Sequence, residues 1–350
     1  SSILSSNVGF CMARLLLGRP LGTWVVRAAG AGACIAAHNL ATPKECTGCH
    51  LQTNVTRREL NDELSKKLLL GVPKKGRLHD KVKEVLAGSG IEYRRQDRLD
   101  IALCGDLPVA VVFLPAADIA TYVGEGGVDM GITGEDILAE CEADVDVLMK
   151  LNFGKCNLSV QAPKSANITN VGDLAGKRIV TSFPNVTRKF FASLESPGMP
   201  TSIKCISGSV EAACGLGLAD AVVDLVETGT TMRAAGLEEV ATVMQSETVL
   251  IANPRTRHPE LVDLVRKRIA GYLTAQAWCM VAYNVHRSGL HRVVQISPGI
   301  RSPCITPLEE SGWVEVQACV LKKEAHNIMD QLQEAGAKDI LLTQFLSTRF

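Results

Sequence analysis

Aromatic residues are scarce in this sequence, where Phe, Tyr and Trp make up only 4% of 350 residues. Proteins that bind single-stranded nucleic acid without sequence preference stack bases on aromatic side chains, and no such platform is visible here. An excess of charge is also lacking, since 37 Lys and Arg residues balance 37 Asp and Glu residues. The composition therefore gives no reason to expect nucleic acid or an anionic membrane as a partner.

The sequence has no apolar run long enough to cross a bilayer. The longest, residues 107–120, is interrupted by Pro108, Pro115 and Asp118, whereas a membrane-spanning helix needs about 20 mostly apolar residues. A hydrophobic content of 46% is ordinary for a globular protein. At roughly 150 residues per domain, the chain length predicts two or three domains.

A disulfide framework is not expected either. The chain has 12 cysteines, and from Cys104 onward each stands alone, mostly in an apolar run. Disulfide frameworks belong to small secreted domains, so this spacing predicts buried free thiols in a reducing compartment.

Acidic residues are missing from residues 1–44, which contain Arg14, Arg19, Arg27 and Lys44. This composition is typical of a transit peptide, and a disordered or cloning-derived extension is the alternative interpretation of residues 1–65. The segment Cys46 to His50 matches the covalent haem attachment pattern. A chance match is the favoured interpretation, and a zinc half-site with His38 or Cys34 is a weaker one.

Strands and helices alternate from residue 66 onward. An apolar run at Leu68–Val72 is followed by the basic loop Lys74–Arg77 and by helical spacing up to Gly88. A strand, a basic glycine loop and a helix start can form an anion site, although an exposed basic turn would look the same. The alternation continues and predicts an α/β chain with largely parallel sheets.

A second α/β unit begins near residue 160, and residues 171–180 resemble the start of the second lobe in two-lobed periplasmic solute-binding proteins. Two such lobes enclose a cleft, and open α/β sheets bind ligands at the carboxyl ends of their strands.

The segment Ala221–Thr231 carries the strongest functional signal. A buried strand ends with Asp224 and Glu227, and Thr228-Gly229-Thr230-Thr231 then opens a helix. Gly229 lets the backbone approach a ligand, while amides and hydroxyls supply donors for a phosphate. The acidic pair can reach ribose hydroxyls or a magnesium ion on a pyrophosphate. The alternative is an ordinary helix capped by Thr228, with solvated acidic side chains.

Several motifs in order resemble the ATP phosphoribosyltransferase family, which opens histidine biosynthesis. They are Pro73–Leu78, Gln96–Leu103, Gly131–Gly134 and Asp224–Gly229. The segments Phe113–Ile119 and Val210–Ala212 make residues 68–350 look most like the fungal type in its long form.

The resemblance implies a fold and a domain organisation. The expected fold is α/β, with a two-lobed catalytic core like that of periplasmic binding proteins at residues 66–277 and a C-terminal ferredoxin-like (βαββαβ) regulatory domain at residues 278–350. The first lobe would comprise residues 68–156 and 255–277, and the second would comprise residues 157–254.

The resemblance also implies the reaction and its site. N1 of ATP would displace pyrophosphate from phosphoribosyl pyrophosphate, with Arg77, Arg98, Asp224 and Glu227 as catalytic residues. Phosphoribosyl pyrophosphate would bind Asp224, Glu227, Thr228, Gly229, Thr230 and Thr231. ATP would bind Lys75, Arg77, Arg98, Gly134 and Arg188. Mg²⁺ would be held mainly through substrate phosphates, with no firm protein ligand. N1 has a free lone pair, so the attack needs no strong base, and the core motifs show no Ser-His-Asp constellation.

The C-terminal pattern of strands and helices predicts the order βαββαβ. Residues 297–303 resemble the family's regulatory domain, which binds histidine as a feedback inhibitor. By resemblance the pocket would include Asn284, Ile300, Cys304, Cys319 and Asp339. Cys304 stands where Thr is usual, and Asn284 stands where an acidic residue is frequent.

Further expectations follow from the resemblance. AMP is another candidate ligand, the oligomer would be a dimer or hexamer of identical chains, and the cytoplasm is the expected compartment. A transit peptide would instead indicate a plastid or mitochondrion. Two other classes stay open, namely a non-catalytic ligand sensor with the same lobes and a regulatory paralogue without activity.

Overall fold

The computed structural model describes residues 63–95, 99–196 and 198–349, without the Arg77 side chain. Residues from Lys66 onward form a compact unit of their own. Residues 1–62 of the predicted extension, which include its Cys46–His50 motif, and Arg98 therefore lie outside the described residues. Within the described part of the chain, no helix is both long and apolar enough to cross a membrane.

The strands are β1 (Leu68–Pro73), β2 (Ile101–Leu103), β3 (Val109–Leu114), β4 (Met130–Gly134), β5 (Asp146–Lys150), β6 (Cys156–Pro163), β7 (Arg178–Thr181), β8 (Ser202–Cys205), β9 (Ala221–Val226), β10 (Leu237–Ser246), β11 (Thr248–Ala252), β12 (Trp278–His286), β13 (Cys304–Pro307), β14 (Trp313–Leu321) and β15 (Lys338–Gln344). The α-helices are α1 (Arg77–Gly88), α2 (Ile119–Gly124), α3 (Glu135–Cys141), α4 (Pro184–Ala192), α5 (Ala212–Gly215), α6 (Thr230–Ala234), α7 (Pro259–Ala277), α8 (Leu290–Ile296) and α9 (Ala325–Glu334).

The first sheet has the strand order β2-β3-β1-β4-β11-β5. Strand β1 is parallel to β3 and β4, and its apolar side chains, with those of β3 and β4, pack against α1 and α7 in one core. Strand β11 is antiparallel to both β4 and β5. The prediction of largely parallel sheets is therefore wrong, because chain segments that cross between the lobes return in the opposite direction.

The second sheet has the order β10-β6-β9-β7-β8. The chain enters it between Lys150 and Cys156 and leaves it between Ser246 and Thr248. The expected second lobe, residues 157–254, thus included β11, which the structure places in the first sheet through its pairing with β4. Two sheets joined by two crossings confirm the predicted two-lobed fold.

The C-terminal sheet has the order β13-β14-β12-β15, with every pair antiparallel. Residues alternate along β12 and β14, so that one face is buried and the other is partly exposed. Val293 of α8 and Leu332 of α9 are fully buried against the first face. The element order and the strand order confirm the ferredoxin-like prediction.

Candidate active site

A cleft of about 430 Å³ lies between the two lobes, within the range of about 300–1,000 Å³ that is usual for small-molecule sites. The first lobe and the crossings contribute Leu78, Lys81, Ala116, Gly134, Asp136, Ile137, Phe153, Gly154, Cys156 and Thr248. The second lobe contributes Gln161, Phe183, Glu211 and the continuous segment Asp224–Met232. Every residue of the predicted acidic and threonine-rich segment, Asp224–Thr231, thus lines the cleft.

Gly229 makes the sharp turn in this segment. Its φ of 71° and ψ of 9° are left-handed, which glycine adopts without steric cost. Helix α6 starts at the next residue, so the amides of its first turn have no partner within the helix. The hydroxyls of Thr228 and Thr230 lie 2.9 Å apart, and the Arg233 guanidinium donates to the Thr228 carbonyl at 2.9 Å. Arg233 thus stabilises the turn, while the residues that carry its amides and hydroxyls line the cleft.

The Asp224 carboxyl is partly buried at the end of β9. Burial raises the pKa of this carboxyl above its ordinary value, the Leu225 amide that donates to it works in the opposite direction, and the Glu211 charge adds to the rise. The Gln161 side chain, itself buried, donates to the Asp224 carbonyl at 3.2 Å. A nearby cation or hydroxyl donor therefore stabilises a partly buried carboxylate more than it stabilises an exposed one.

On the opposite wall, Gly134 precedes helix α3. A Cβ on Gly134 would lie 2.1 Å from the Asp136 carboxylate, so a larger residue there would displace the Asp136 side chain. Asp136 is buried and accepts a 2.6 Å hydrogen bond from the Ser246 hydroxyl, which in turn accepts from the Asp136 amide at 3.1 Å. This pair links the start of α3 to the crossing that carries the chain back to the first lobe.

The structure does not place all the residues that were predicted to bind ATP in this cleft. Gly134 lines it, whereas Lys75 and Arg188 are exposed and are not among the lining residues. Arg188 projects from α4 and acts electrostatically on Glu195 of its own lobe. Helix α1 starts at Arg77, and its next residues Leu78 and Lys81 do line the cleft.

Sequence reasoning missed several cleft residues, among them Gln161, Phe183 and Glu211. Glu211 stood in a motif already singled out for its resemblance, and Phe183 directly precedes Pro184, the first residue of α4. Gln161 lies in the middle of an apolar strand, and a buried polar residue at such a position was the available signal.

The family model for ATP phosphoribosyltransferase matches residues 115–271, and the model named HisG, C-terminal domain matches residues 275–346. The ATP phosphoribosyltransferase of Yarrowia lipolytica is 47% identical over 296 residues, which cover 83% of this chain and 99% of the relative.

The chain belongs to the ATP phosphoribosyltransferase family. It is an enzyme, a transferase of histidine biosynthesis, and the resemblance to the fungal type is confirmed. A second similar protein is the ATP phosphoribosyltransferase of Schizosaccharomyces pombe, 46% identical over 308 residues, with coverage of 83% of this chain and 99% of the relative.

A solved structure supports the same membership. The ATP phosphoribosyl transferase complex (HisG:HisZ) from Thermotoga maritima contains a chain with 30% sequence identity and a TM-score of 0.50. The match covers 58% of this chain and 98% of that one.

Among its described residues, the chain forms no group of three or more His, Cys, Asp or Glu side chains arranged to hold a metal. The cleft does contain Asp224, Glu227 and Glu211, and carboxylate oxygens are the ligands that Mg²⁺ prefers. One or two carboxylates together with substrate phosphates form a usual magnesium site. The donor set therefore fits a magnesium ion that arrives with a phosphorylated substrate.

The residues predicted to bind the inhibitor histidine lie across the C-terminal sheet in two groups. The Asn284 amide donates to the Asp339 carboxylate at 2.9 Å, and these two residues lie on β12 and β15. Cys304 of β13 pairs with Gln317, two residues before Cys319 on β14. Asn284, Cys304 and Cys319 share the sheet face that α8 and α9 leave uncovered, since Asn284 pairs with Glu315. Ile300 is 45% exposed in the preceding loop.

Proposed function

We propose that the chain transfers the 5-phosphoribosyl group of phosphoribosyl pyrophosphate to N1 of ATP, with release of pyrophosphate and formation of 1-(5-phosphoribosyl)-ATP. The observation that carries the proposal is the continuous lining of the cleft by Asp224–Met232 in a chain of this family. A ligand sensor without turnover would have no use for this acidic and hydroxyl-rich segment.

Phosphoribosyl pyrophosphate binds to the segment that contains Asp224, Glu227, Thr228, Gly229, Thr230 and Thr231. The 5-phosphate takes the amides and hydroxyls that follow Gly229, because α6 leaves its first-turn amides unpaired. The two acidic side chains take the ribose hydroxyls and the ion on the pyrophosphate. The left-handed turn at Gly229 supports this assignment, since it lets a phosphate approach the backbone.

Mg²⁺ is the cofactor of the proposed reaction and is bound mainly through the substrate phosphates, with Asp224 and Glu227 as the nearest protein carboxylates. When bound, it neutralises the negative charge that develops on the departing pyrophosphate. The chain itself keeps these carboxylates at one end of β9, and the partial burial of Asp224 strengthens its attraction for a cation.

ATP occupies the first-lobe side of the cleft, near Gly134 and the start of α1. Arg77 and Arg98 are the catalytic arginines, which neutralise phosphates and the charge of the leaving group. Because Lys75 and Arg188 are exposed outside the cleft lining, we assign them no more than an attraction for the approaching polyanions.

Proton transfer plays a small part in this reaction. N1 of adenine carries a free lone pair, and its attack on the anomeric carbon requires alignment rather than deprotonation. The cleft therefore acts mainly by bringing two polyanions together and by stabilising the leaving group.

The C-terminal ferredoxin-like domain binds histidine as a feedback inhibitor through Asn284, Ile300, Cys304, Cys319 and Asp339. Residues 66–277 form the catalytic core, with the boundary of the second lobe near residue 247 rather than 254. The chain assembles with copies of itself into dimers and hexamers, and AMP is a further candidate ligand.

A turnover assay with ATP, phosphoribosyl pyrophosphate and Mg²⁺, with pyrophosphatase added to prevent the back reaction, tests the proposal. We expect phosphoribosyl-ATP to form and L-histidine to suppress its formation. Product without suppression would retain the transferase and overturn the histidine pocket. Folded protein that binds ATP but forms no product would support a sensor or a regulatory paralogue.

A further inference from the structure

Helices from different lobes meet at one end of the cleft. Helix α3 belongs to the first lobe and α4 to the second. Ile137 of α3 packs against the hydrophobic clusters of both lobes and lines the cleft. Phe183, the residue directly before α4, lines the same cleft. A contact between these helices therefore joins two parts of the cleft wall that belong to different lobes.

Helix α4 has no capping side chain of its own. Phe183 occupies its N-cap position without a side-chain hydrogen bond, and Pro184 has no N–H to donate. The first two amides that remain, those of Asn185 and Val186, donate to the carboxylate of Glu140 on α3. The Asn185 amide lies 3.0 Å from each carboxylate oxygen, and the Val186 amide lies 3.1 Å from one of them.

Two further contacts join the same helices. The Asn185 side-chain amide donates to the Glu140 carbonyl at 2.9 Å, and Lys189 forms an ion pair with Glu142 just after α3. Helix starts normally take their caps from the preceding residue of the same chain segment. Here the cap comes from the other lobe, so it can form only when the lobes stand at this separation.

We propose that Glu140 is a positioning residue, which holds the two lobes at the separation that the transfer reaction requires. The inference rests on the proposed function, in which substrates on opposite walls of the cleft must meet. Glu140 does not line the cleft itself. It acts through Asn185 on Phe183, and through its own helix on Ile137, which lies three residues earlier and therefore on the same helix face.

The consequence is a specific kinetic pattern. Without the Glu140 carboxylate, the lobes spend less time at the required separation, and the apparent affinity for each substrate falls with that fraction. The KM value for each substrate, measured at a low concentration of the other, then rises, while saturating concentrations of both substrates restore kcat. A variant that merely folded less well would show a lower kcat at unchanged KM, because only the concentration of active enzyme would fall.

The experiment compares Glu140→Ala and Glu140→Gln with the wild-type chain. Glu195→Gln is the matched control, since the Glu195 carboxylate accepts the Thr201 amide at 2.7 Å entirely within the second lobe. We expect Glu140→Ala to raise both KM values roughly three- to tenfold, as fits the loss of charge-assisted hydrogen bonds at a helix start. Glu140→Gln keeps a carbonyl acceptor, so its KM values should lie between those of Glu140→Ala and the wild type. Glu195→Gln should have the KM values of the wild type.

Unchanged KM values in Glu140→Ala, or an equal rise in Glu195→Gln, would overturn the proposal. Backbone hydrogen exchange provides a readout without turnover. Residues 135–141 and 183–187 should both exchange faster in Glu140→Ala than in Glu195→Gln, and equal exchange would also overturn the proposal. A wild-type chain that shows no turnover would refute the proposed function, while the exchange measurement would still decide the role of Glu140.

Discussion

The Cβ position of Gly229 lies 2.6 Å from the Nη1 atom of Arg233. Arg233 lies four residues further along and donates through Nη2 to the Thr228 carbonyl. Any side chain at residue 229 would have to displace this arginine and would also adopt a left-handed φ of 71°. The left-handed turn in the segment Asp224–Thr231 therefore favours glycine at residue 229.

The first prediction concerns Gly229→Ala. We expect kcat/KM for phosphoribosyl pyrophosphate to fall by roughly 100-fold, because a misplaced phosphate group loses its alignment with the second substrate. Steady-state kinetics would measure the change. The control is Gly215→Ala, since a Cβ at Gly215 meets nothing within 4 Å. Wild-type kinetics in Gly229→Ala would remove the turn from the substrate site.

The second prediction concerns Asp224→Asn and pH. Burial raises the pKa of Asp224, so the folded state holds this proton more tightly than the unfolded chain does. Stability is consequently lost as the pH rises from the ordinary pKa through the raised one. Asp224→Asn should raise the midpoint of thermal unfolding at pH 7, with a gain that shrinks towards pH 4, and should reduce turnover.

In the matched control, Asp220→Asn, the unfolding midpoint should change in the opposite direction. The hydrogen bond from Arg178 lowers the pKa of Asp220, so ionised Asp220 stabilises the folded state above its ordinary pKa and loses that effect in acid. Asp220→Asn should therefore lower the unfolding midpoint at pH 7. A shift of the same sign in both variants would contradict this account of Asp224.

The third prediction concerns thiol reactivity. Burial, with a further contribution from the Asp136 charge, raises the pKa of the Cys156 thiol to about 11. At pH 8 only about one thiol in a thousand is then ionised, and the thiolate is the reactive form. Among the cysteines that the structure describes, iodoacetamide should modify the exposed Cys205 and Cys304 before Cys156, as residue-specific mass spectrometry would show. Rapid labelling of Cys156 at pH 8 would contradict the prediction.

The fourth prediction concerns Arg98, which lies outside the described residues. If Arg98 neutralises the transferred group or the leaving group, Arg98→Ala should lower kcat by roughly 100- to 1,000-fold. Arg94→Ala is the control, because Arg94 is an exposed residue of the same segment. Near-normal turnover in Arg98→Ala would remove this arginine from the site.

The fifth prediction concerns regulation. Asn284→Ala removes the donor that holds Asp339, and the concentration of histidine that halves the rate should rise by about tenfold or more. Each variant is compared with its own rate without histidine. The exposed His291 on α8 provides the control as His291→Ala. Equal histidine sensitivity in all chains would place the inhibitor elsewhere.

Local patterns predicted most elements correctly. The apolar run Leu68–Val72 correctly predicted β1, and the C-terminal pattern correctly predicted the element order βαββαβ. The same reasoning overlooked β8, β10 and β11. The residues of β10 are largely half-buried or exposed, so the strand shows no clear apolar period, and β11 is an apolar run whose length alone does not distinguish a strand from a buried helix.

The sequence by itself determined the types of most elements, the order of the family motifs and the acidic, threonine-rich segment at Asp224–Thr231. Each of these depends on neighbours within a few residues, and side-chain periodicity or turn chemistry reports them directly. Only the tertiary structure decided that β11 returns to the first sheet, that Gly134 and Phe183 face the same cleft as Gly229, and that Glu140 caps a helix of the other lobe. These relationships join residues 45 or more positions apart, and such contacts form only when both lobes are folded and packed together.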